Sequence, residues 1–117
     1  MPKYMLLLHD DPSSFATLSP ADIQTVIEKY MAWGKRLRAA GIITESNKLT
    51  DAPGRVMRGQ GSSARITDGP YSETKEVLGG YYIIVADSYD DAAKRAADCP
   101  QLEYGGTIEI REVDVIG

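Results

Sequence analysis

The sequence predicts an α+β fold, in which two helices lie on one face of a four-stranded antiparallel sheet and an extra hairpin is inserted between two strands. Three observations lead to this prediction. Two segments carry helix-start signals, each lies between apolar segments with strand character, and the 117 residues suit one domain with a single core. Along the chain the order is strand, helix, strand, hairpin, strand, helix and strand.

The first strand and the first helix have the clearest patterns. Residues 4–9 are predicted to form a strand with apolar residues at both odd and even positions, and therefore on both of its faces. A helix is predicted to begin after Ser19, because its hydroxyl can cap the helix and Pro20 suits the first helical position. Apolar residues at helical spacing continue to Ala40, and Gly41 provides the left-handed conformation that ends a helix.

The remaining elements are shorter. A second strand is predicted over residues 42–49, and a long apolar strand over residues 78–86. Ser88 can cap a second helix, which Pro100 is expected to end. An inserted hairpin and a last strand complete the set, with hairpin arms at residues 55–58 and 64–67, a connection at residues 59–63 and the strand at residues 107–113. Without the hairpin, the order β-α-β-β-α-β is that of the ferredoxin-like fold, with both helices on one face.

The inner strands of this sheet are apolar on both faces, and this indicates a homodimer. Two helices can cover only one face of a four-stranded sheet. The other face would expose several apolar side chains, namely Met5, Leu7, Tyr81, Ile83 and Val85. Monomers seldom expose a contiguous apolar patch of this kind, and a second copy is the simplest cover. A cleft between two such sheets, edged by polar residues, is then a natural site for a small ligand.

Composition argues against several other classes of partner. The net charge of −4 opposes a general affinity for nucleic acid, and the first apolar run, residues 4–8, is too short for a signal peptide or a membrane span. Cys99 is the only cysteine, so no intramolecular disulfide can form. We therefore expect a cytoplasmic protein without nucleic-acid or membrane partners.

His9 and Asp68 are the candidate catalytic residues. His9 is the only histidine, lies at the end of an inner strand and can act as a general base near neutral pH. The alternative is a strand-end histidine that hydrogen-bonds a nearby carbonyl or carboxylate. Asp68 precedes Gly69 and Pro70, so its carboxylate can either tie this turn or transfer protons. No metal or cofactor is predicted, because a second histidine is absent and the carboxylates lack a recognisable ligand spacing.

The segment that follows this turn carries the candidate ligand-binding residues. Three side chains able to form hydrogen bonds fall within five residues, and a glycine pair at residues 79–80 then leads into a buried strand. Two glycines there let another backbone or a ligand approach closely. The side chains expected to bind a small polar molecule are Tyr71, Glu73, Lys75 and Tyr81.

The stretch at residues 68–82, DGPYSETKEVLGGYY, resembles the YCII-related family in its branch named for a DGPF motif, with Tyr71 in place of the phenylalanine. The opening at residues 3–8 and the helix end at residues 37–41 are also similar to that branch. The resemblance implies a dimeric α+β barrel that is built from ferredoxin-like subunits.

The resemblance implies less about activity. Many members of the wider family pair a histidine, usually on the first helix, with an aspartate. No histidine lies between Ser19 and Gly41, so that residue has no counterpart here, and His9 does not match it by position. A muconolactone-type dehydrochlorinase is similar to the wider family, and this similarity implies general acid/base chemistry on a small carboxylate-bearing molecule as one candidate activity.

Three functions therefore stay open. The first is a module that binds a small polar molecule in the cleft of a dimer. The second is an enzyme, such as a lyase or isomerase, that uses His9 or Asp68 for proton transfer. The third is an accessory dimer that acts through protein contacts, since some proteins similar to this one are linked to sigma-factor-like regulators.

Overall fold

The structure, a computed structural model, describes residues 1–69 and 76–116. Within these ranges the main sheet has four strands, and a second sheet of two strands forms the inserted hairpin. Short 3₁₀ turns occur at Pro12–Phe15 and Gly61–Ser63. In chain order the elements are β1 (Lys3–Asp10), α1 (Pro20–Ala39), β2 (Ile43–Lys48), β3 (Arg55–Arg58), β4 (Arg65–Asp68), β5 (Val77–Val85), α2 (Tyr89–Ala96), α3 (Pro100–Glu103) and β6 (Thr107–Glu112).

The main sheet confirms the predicted topology. Its strand order is β2-β5-β1-β6, and all neighbouring strands are antiparallel. The inner strands are thus β1 and β5, the two strands that have apolar residues on both faces. This strand order is that of the ferredoxin-like fold. The β1–β5 register shifts between Leu8 and His9, so a local irregularity lies directly before the histidine.

The start of α1 follows from its capping residue, as predicted. The Ser19 hydroxyl accepts a hydrogen bond from the backbone N–H of Asp22 at 3.1 Å, and Pro20 occupies the first turn. Beyond the end of α1, Gly41 has φ +74°, a conformation that a side chain would strain.

The second helical segment differs from its prediction. Ser88 caps α2 as expected, with its hydroxyl 3.1 Å from the backbone nitrogen of Asp91, but the helix already ends at Ala96. Pro100 begins α3 and does not end α2. A proline suits the first turn of a helix because its missing N–H has no partner there, so the residue type alone allows both positions.

The core lies between one face of the main sheet and the helices. Trp33 of α1 packs edge-on against Tyr82 of β5, with ring centroids 5.0 Å apart. Burial raises the pKa of the Cys99 thiol to about 11, so at neutral pH this residue is a small protonated apolar side chain, as predicted. The buried cluster consists of Tyr4, Leu6, Trp33, Leu37, Ile43, Ile84, Ala86, Ala92, Ala96 and Cys99.

The molecule is thin, and its thickness bears on the second face of the sheet. Its extents are 47 × 46 × 20 Å. One helix is about 10 Å across and packed layers are about 10 Å apart, so the shortest dimension is that of one helical layer on one sheet. The described residues therefore provide no third layer to cover the other face of the sheet.

The inserted hairpin is confirmed, with its second arm one residue later than predicted. Its strands β3 and β4 pair in the register Arg55 with Asp68, through Arg58 with Arg65. Met57 and Ile66 are direct cross-strand partners, and about two-thirds of each side chain's surface is exposed (66% and 62%). The hairpin thus presents an apolar pair to solvent in the single chain.

Candidate functional site

The sheet face opposite the helices, here named the reverse face, is organised in two rows of cross-strand neighbours. Directly paired residues share one face of a sheet, so the register defines each row. In the order β2-β5-β1-β6, the Leu7 row contains Asn47, Tyr81, Leu7 and Glu109, and the Met5 row contains Glu45, Ile83, Met5 and Arg111. In both rows the inner strands contribute apolar or aromatic side chains, which are half-buried, and the edge strands contribute polar ones.

His9 lies at one end of this face and contacts a carboxylate. Its Nε2 is 3.1 Å from Oε1 of Glu109, a residue of the neighbouring strand β6. About a quarter of the His9 side chain is exposed, and nearly half of the Glu109 side chain. Because a carboxylate only accepts, the imidazole donates from Nε2 in this arrangement. The structure therefore agrees with one of the two interpretations of the sequence, in which His9 hydrogen-bonds a nearby carboxylate.

Tyr81 forms a second polar cluster on the opposite flank. Its hydroxyl donates to Oε2 of Glu45 at 2.6 Å and accepts from Nδ2 of Asn47 at 2.9 Å. Asn47 is the direct cross-strand partner of Tyr81, and Glu45 is its diagonal neighbour, so the register of β2 on β5 brings the three groups together. The apolar side chains of Leu7 and Ile83 lie between this cluster and the His9–Glu109 pair.

A buried network holds the end of β1 from the helix side. Nε2 of Gln101 donates to the His9 carbonyl at 2.9 Å and to Oδ1 of Asp10 at 2.7 Å, while its Oε1 accepts from the Tyr30 hydroxyl at 2.6 Å. Only 1% of Gln101 is exposed. Burial, and secondly the Asp10 carboxylate, raise the pKa of Tyr30, so the phenol stays a neutral donor. Sequence reasoning missed Gln101, because a glutamine in a short helix carries no periodic signal.

Glycines allow close approach at two places, one beside this network and one where β5 pairs with β2. A Cβ on Gly106 would lie 2.9 Å from Oδ1 of Asp10 and closer still to the Gln101 amide. A Cβ on Gly80 would lie 2.8 Å from the backbone oxygen of Asn47. The second contact confirms the prediction that the glycine pair before Tyr81 lets another backbone approach closely.

The other sequence-predicted residues are not brought to His9 by any described contact. Asp68 ends β4 and forms an ion pair with Arg55 of the same hairpin, with Oδ1 3.2 Å from Nη1 and 87% of its side chain exposed. The structural role of Asp68 in the described residues is therefore within the hairpin. Tyr71, Glu73 and Lys75 lie outside the described residues, so their part in a site stays a prediction.

Two shallow grooves lie on the helix side, away from the reverse face. They occupy about 430 and 340 Å³ between α1 and the segment that includes α2 and α3. Asp98 borders both grooves and bridges the helices, with Oδ2 2.6 Å from Nη2 of Arg36 and Oδ1 2.9 Å from the indole nitrogen of Trp33. The hydrogen bond from Arg36 lowers the pKa of the Asp98 carboxyl group most, and the hydrogen bond from Trp33 lowers it further. The ordinary role of this cluster is to tie α1 to the end of α2.

Two other kinds of site are absent from the part of the chain that the structure describes. No three His, Cys, Asp or Glu side chains within residues 1–69 and 76–116 are grouped so that they could hold a metal ion. Over the same residues, no helix combines the length and apolar character that crossing a membrane requires.

The fold, a layer of helices on one four-stranded antiparallel sheet, defines an α+β, ferredoxin-like protein. Comparison with known families assigns it further: residues 2–116 match the YCII-related domain, so the chain belongs to the YCII-related family. It is also similar to an uncharacterised protein of Rhizobium meliloti (strain 1021), with 28% identity over an alignment that covers 92% of this chain and 89% of that protein.

Proposed function

We propose that this protein is a homodimer that binds a small polar molecule between the reverse faces of its two subunits. One observation carries the proposal: a half-buried apolar strip on the reverse face lies between two hydrogen-bonded polar clusters, His9 with Glu109 and Tyr81 with Glu45 and Asn47. Apolar surface favours a protein cover, and polar groups at its edges favour a ligand.

The energetic scale supports a stable dimer. Five apolar side chains of the inner strands contribute to this face, namely Met5, Leu7, Tyr81, Ile83 and Val85. If each copy buries about 400 Å² of apolar surface, association gains on the order of 20 kcal/mol at about 25 cal/mol per Å². The loss of translational, rotational and side-chain freedom opposes this gain by about 4–15 kcal/mol. The balance favours a second copy as the partner.

The polar clusters support a ligand that both donates and accepts hydrogen bonds. The imidazole of His9 and the amide of Asn47 are donors, and the carboxylates of Glu45 and Glu109 are acceptors. We expect Tyr71, Glu73 and Lys75, from the segment before β5, to add polar groups to the same site.

The first test is the oligomeric state. A single charge on the apolar strip, in Leu7→Glu or Ile83→Glu, should convert a dimer into a monomer in sedimentation at micromolar concentration, because burying an unpaired carboxylate is costly. Met31→Glu is the matched control, since Met31 is 69% exposed on α1, and this variant should remain a dimer. A wild-type protein that sediments as a monomer would contradict the proposal.

The second test identifies the ligand. Native mass spectrometry of the purified protein should reveal a co-purified molecule, which can then be titrated against variants. His9→Ala and Tyr81→Phe are each expected to weaken its binding about tenfold, the effect of one or two lost hydrogen bonds. Asp68→Ala tests the hairpin in the same assay. If none of the three substitutions changes the affinity, the ligand binds elsewhere.

A second candidate function is general acid/base catalysis in the same cleft. The observation that favours it is the His9–Glu109 pair, since a carboxylate 3.1 Å from Nε2 orients the imidazole ring. If the co-purified molecule is a substrate, NMR should detect its conversion by the wild type, and His9→Gln should abolish the conversion while binding persists. Conversion at an unchanged rate by His9→Gln would exclude His9 as the base.

A further inference from the structure

We infer that the larger groove on the helix side binds a small organic carboxylate, with the charged group at Lys94 and the apolar body against the end of α1. This groove occupies about 430 Å³ between the ends of α1 and α2. It lies on the side of the sheet opposite to the reverse face, so the site is separate from the proposed function and does not depend on a homodimer.

One wall of the groove is apolar. Leu37, Ala40 and Ile42 contribute to it from the end of α1 and the residues that follow, and Ala97 contributes from the end of α2. Ala40 and Ala97 are exposed, and their small side chains leave the volume open. Pockets for small molecules have volumes of about 300–1,000 Å³, so this groove suits a ligand with one or two rings.

The rim of the groove is basic, although the protein has a net charge of −4. Arg36, Lys94 and Arg95 line it, against the single carboxylate of Asp98. Basic residues in the last turn of a helix ordinarily offset the partial negative charge of that end. Here two helix ends meet, so basic side chains from both helices border one groove. This charge favours an anionic ligand.

The three basic side chains keep donors for a ligand. Arg36 binds Asp98 through Nη2, and Arg95 binds Asp91 through Nε at 3.0 Å. A guanidinium carries N–H groups on three nitrogens, so further donors remain on both arginines. The ammonium of Lys94 forms no ion pair or hydrogen bond with any residue in the ranges 1–69 and 76–116. Lys94 is therefore the cation that can best accept a carboxylate.

The smaller groove provides an internal comparison. It occupies about 340 Å³ and is lined by two cations, Lys29 and Arg36, and two carboxylates, Asp98 and Glu103. Lys29 binds Glu103 at 2.7 Å and Arg36 binds Asp98 at 2.6 Å, so each cation has a carboxylate of its own. The smaller groove is balanced in charge, and only the larger one favours an anion.

A titration with 2-naphthoate tests the site, because this probe combines two fused rings with one carboxylate. In nitrogen-15 NMR spectra of the full chain, the backbone amides of residues 36–42 and 94–98 should shift saturably. The neutral 2-naphthamide should bind at least tenfold more weakly, since it lacks the charge. Acetate should give no saturable shift, since it lacks the apolar body.

Substitutions at the rim should change the affinity in opposite directions. Lys94→Glu should weaken 2-naphthoate binding about tenfold, because it replaces attraction by repulsion, whereas Lys94→Arg should bind like the wild type. Asp98→Asn should strengthen binding about threefold, because it removes a carboxylate and releases Arg36. Lys35→Glu is the matched control, since Lys35 is exposed on α1 and does not line the groove, and its affinity should not change.

Three outcomes would overturn the inference. The first is the absence of any saturable shift up to about 10 mM 2-naphthoate. The second is a set of shifts confined to β1 and β5, which would place the probe on the reverse face and leave the proposed function intact. The third is an equal loss of affinity in Lys94→Glu and Lys35→Glu, which would show that only the net charge of the protein matters.

Discussion

Gln101 shows how one buried polar side chain can organise the end of a strand. It satisfies three groups at once, the His9 carbonyl, the Asp10 carboxylate and the Tyr30 hydroxyl, and almost none of its surface is exposed. A buried polar network is favourable when every member has its partner and costly when one is missing. Gln101 therefore positions the backbone of His9 from the side opposite to the proposed ligand.

Replacing Gln101 should be strongly destabilising. Gln101→Leu keeps the approximate volume but leaves the Tyr30 hydroxyl and Oδ1 of Asp10 without the partner that each has in the native protein. At about 1–3 kcal/mol for each of these two unsatisfied groups, the free energy of unfolding should fall by about 2–6 kcal/mol in urea denaturation. Gln24→Leu is the control, because Gln24 is exposed on α1, and it should change stability by less than about 0.5 kcal/mol. Equal effects of the two substitutions would contradict the role of the network.

At the scale of elements, α1 is held at both flanks by polar contacts that join segments distant in sequence. On one side Arg36 and Trp33 bind Asp98, which follows α2, and Lys29 binds Glu103 of α3 at 2.7 Å. On the other side the Arg38 guanidinium donates to the Ser46 hydroxyl of β2. These contacts orient α1 along the sheet, while the apolar stripe that includes Trp33 and Leu37 supplies most of the burial.

The Asp98 bridge should make stability depend on acid pH. The pKa of Asp98 is lowered from 3.8 by Arg36 and Trp33, so its contribution is present above about pH 4 and is lost as the pH falls towards the folded-state value. Asp98→Asn should therefore cost up to about 1 kcal/mol at pH 7, as expected for a largely exposed ion pair, and less at pH 2 to 3. Urea denaturation at both pH values measures the difference.

Asp51→Asn is the matched control for this measurement. Asp51 is fully exposed in a turn and contacts only the nearby Lys48 among the described residues. It should show no such difference between neutral and acid pH. A cost of Asp98→Asn that is the same at both pH values would contradict the electrostatic account.

At the scale of the whole molecule, the two-layer fold is an open structure. Its longest dimension is 47 Å, whereas the longest strand, β5 with nine residues, spans about 30 Å, so other parts of the chain extend beyond the sheet. An isolated two-stranded hairpin is marginally stable in water, and the exposed Met57 and Ile66 of β3 and β4 give this one apolar surface to bury. Both features are in keeping with the proposed homodimer, in which association would stabilise each chain.

The homodimer proposal predicts a thermal stability that depends on concentration. Because association stabilises only the folded chain, the Tm of the wild type should rise by several degrees between about 1 and 100 μM protein. The Tm of Leu7→Glu should stay constant over the same range, since its subunits do not associate. Differential scanning fluorimetry of both proteins measures this effect. A wild-type Tm that does not change with concentration would argue against a stable dimer interface.

Much of the fold could be predicted from local patterns, whereas most of the candidate site could not. Ser19 and Ser88 correctly predicted where two helices begin. The strands with apolar residues on both faces were correctly predicted to lie at the centre of the sheet. His9 and Tyr81 were recognised as candidates, but Asp68 turned out to pair with Arg55 within the hairpin. The partners Glu45, Asn47 and Glu109 were not anticipated, because a polar residue on an edge strand looks the same whether or not it faces a site.

Local sequence by itself determined the elements, their order and the apolar character of both faces of β1 and β5, because capping and periodicity act over a few residues. Only the tertiary structure decided which side chains meet. His9 and Glu109 are 100 positions apart along the chain, and Tyr30 and Gln101 are 71 apart. Such contacts depend on strand register, and a shift of one residue would move every side chain of a strand to the other face.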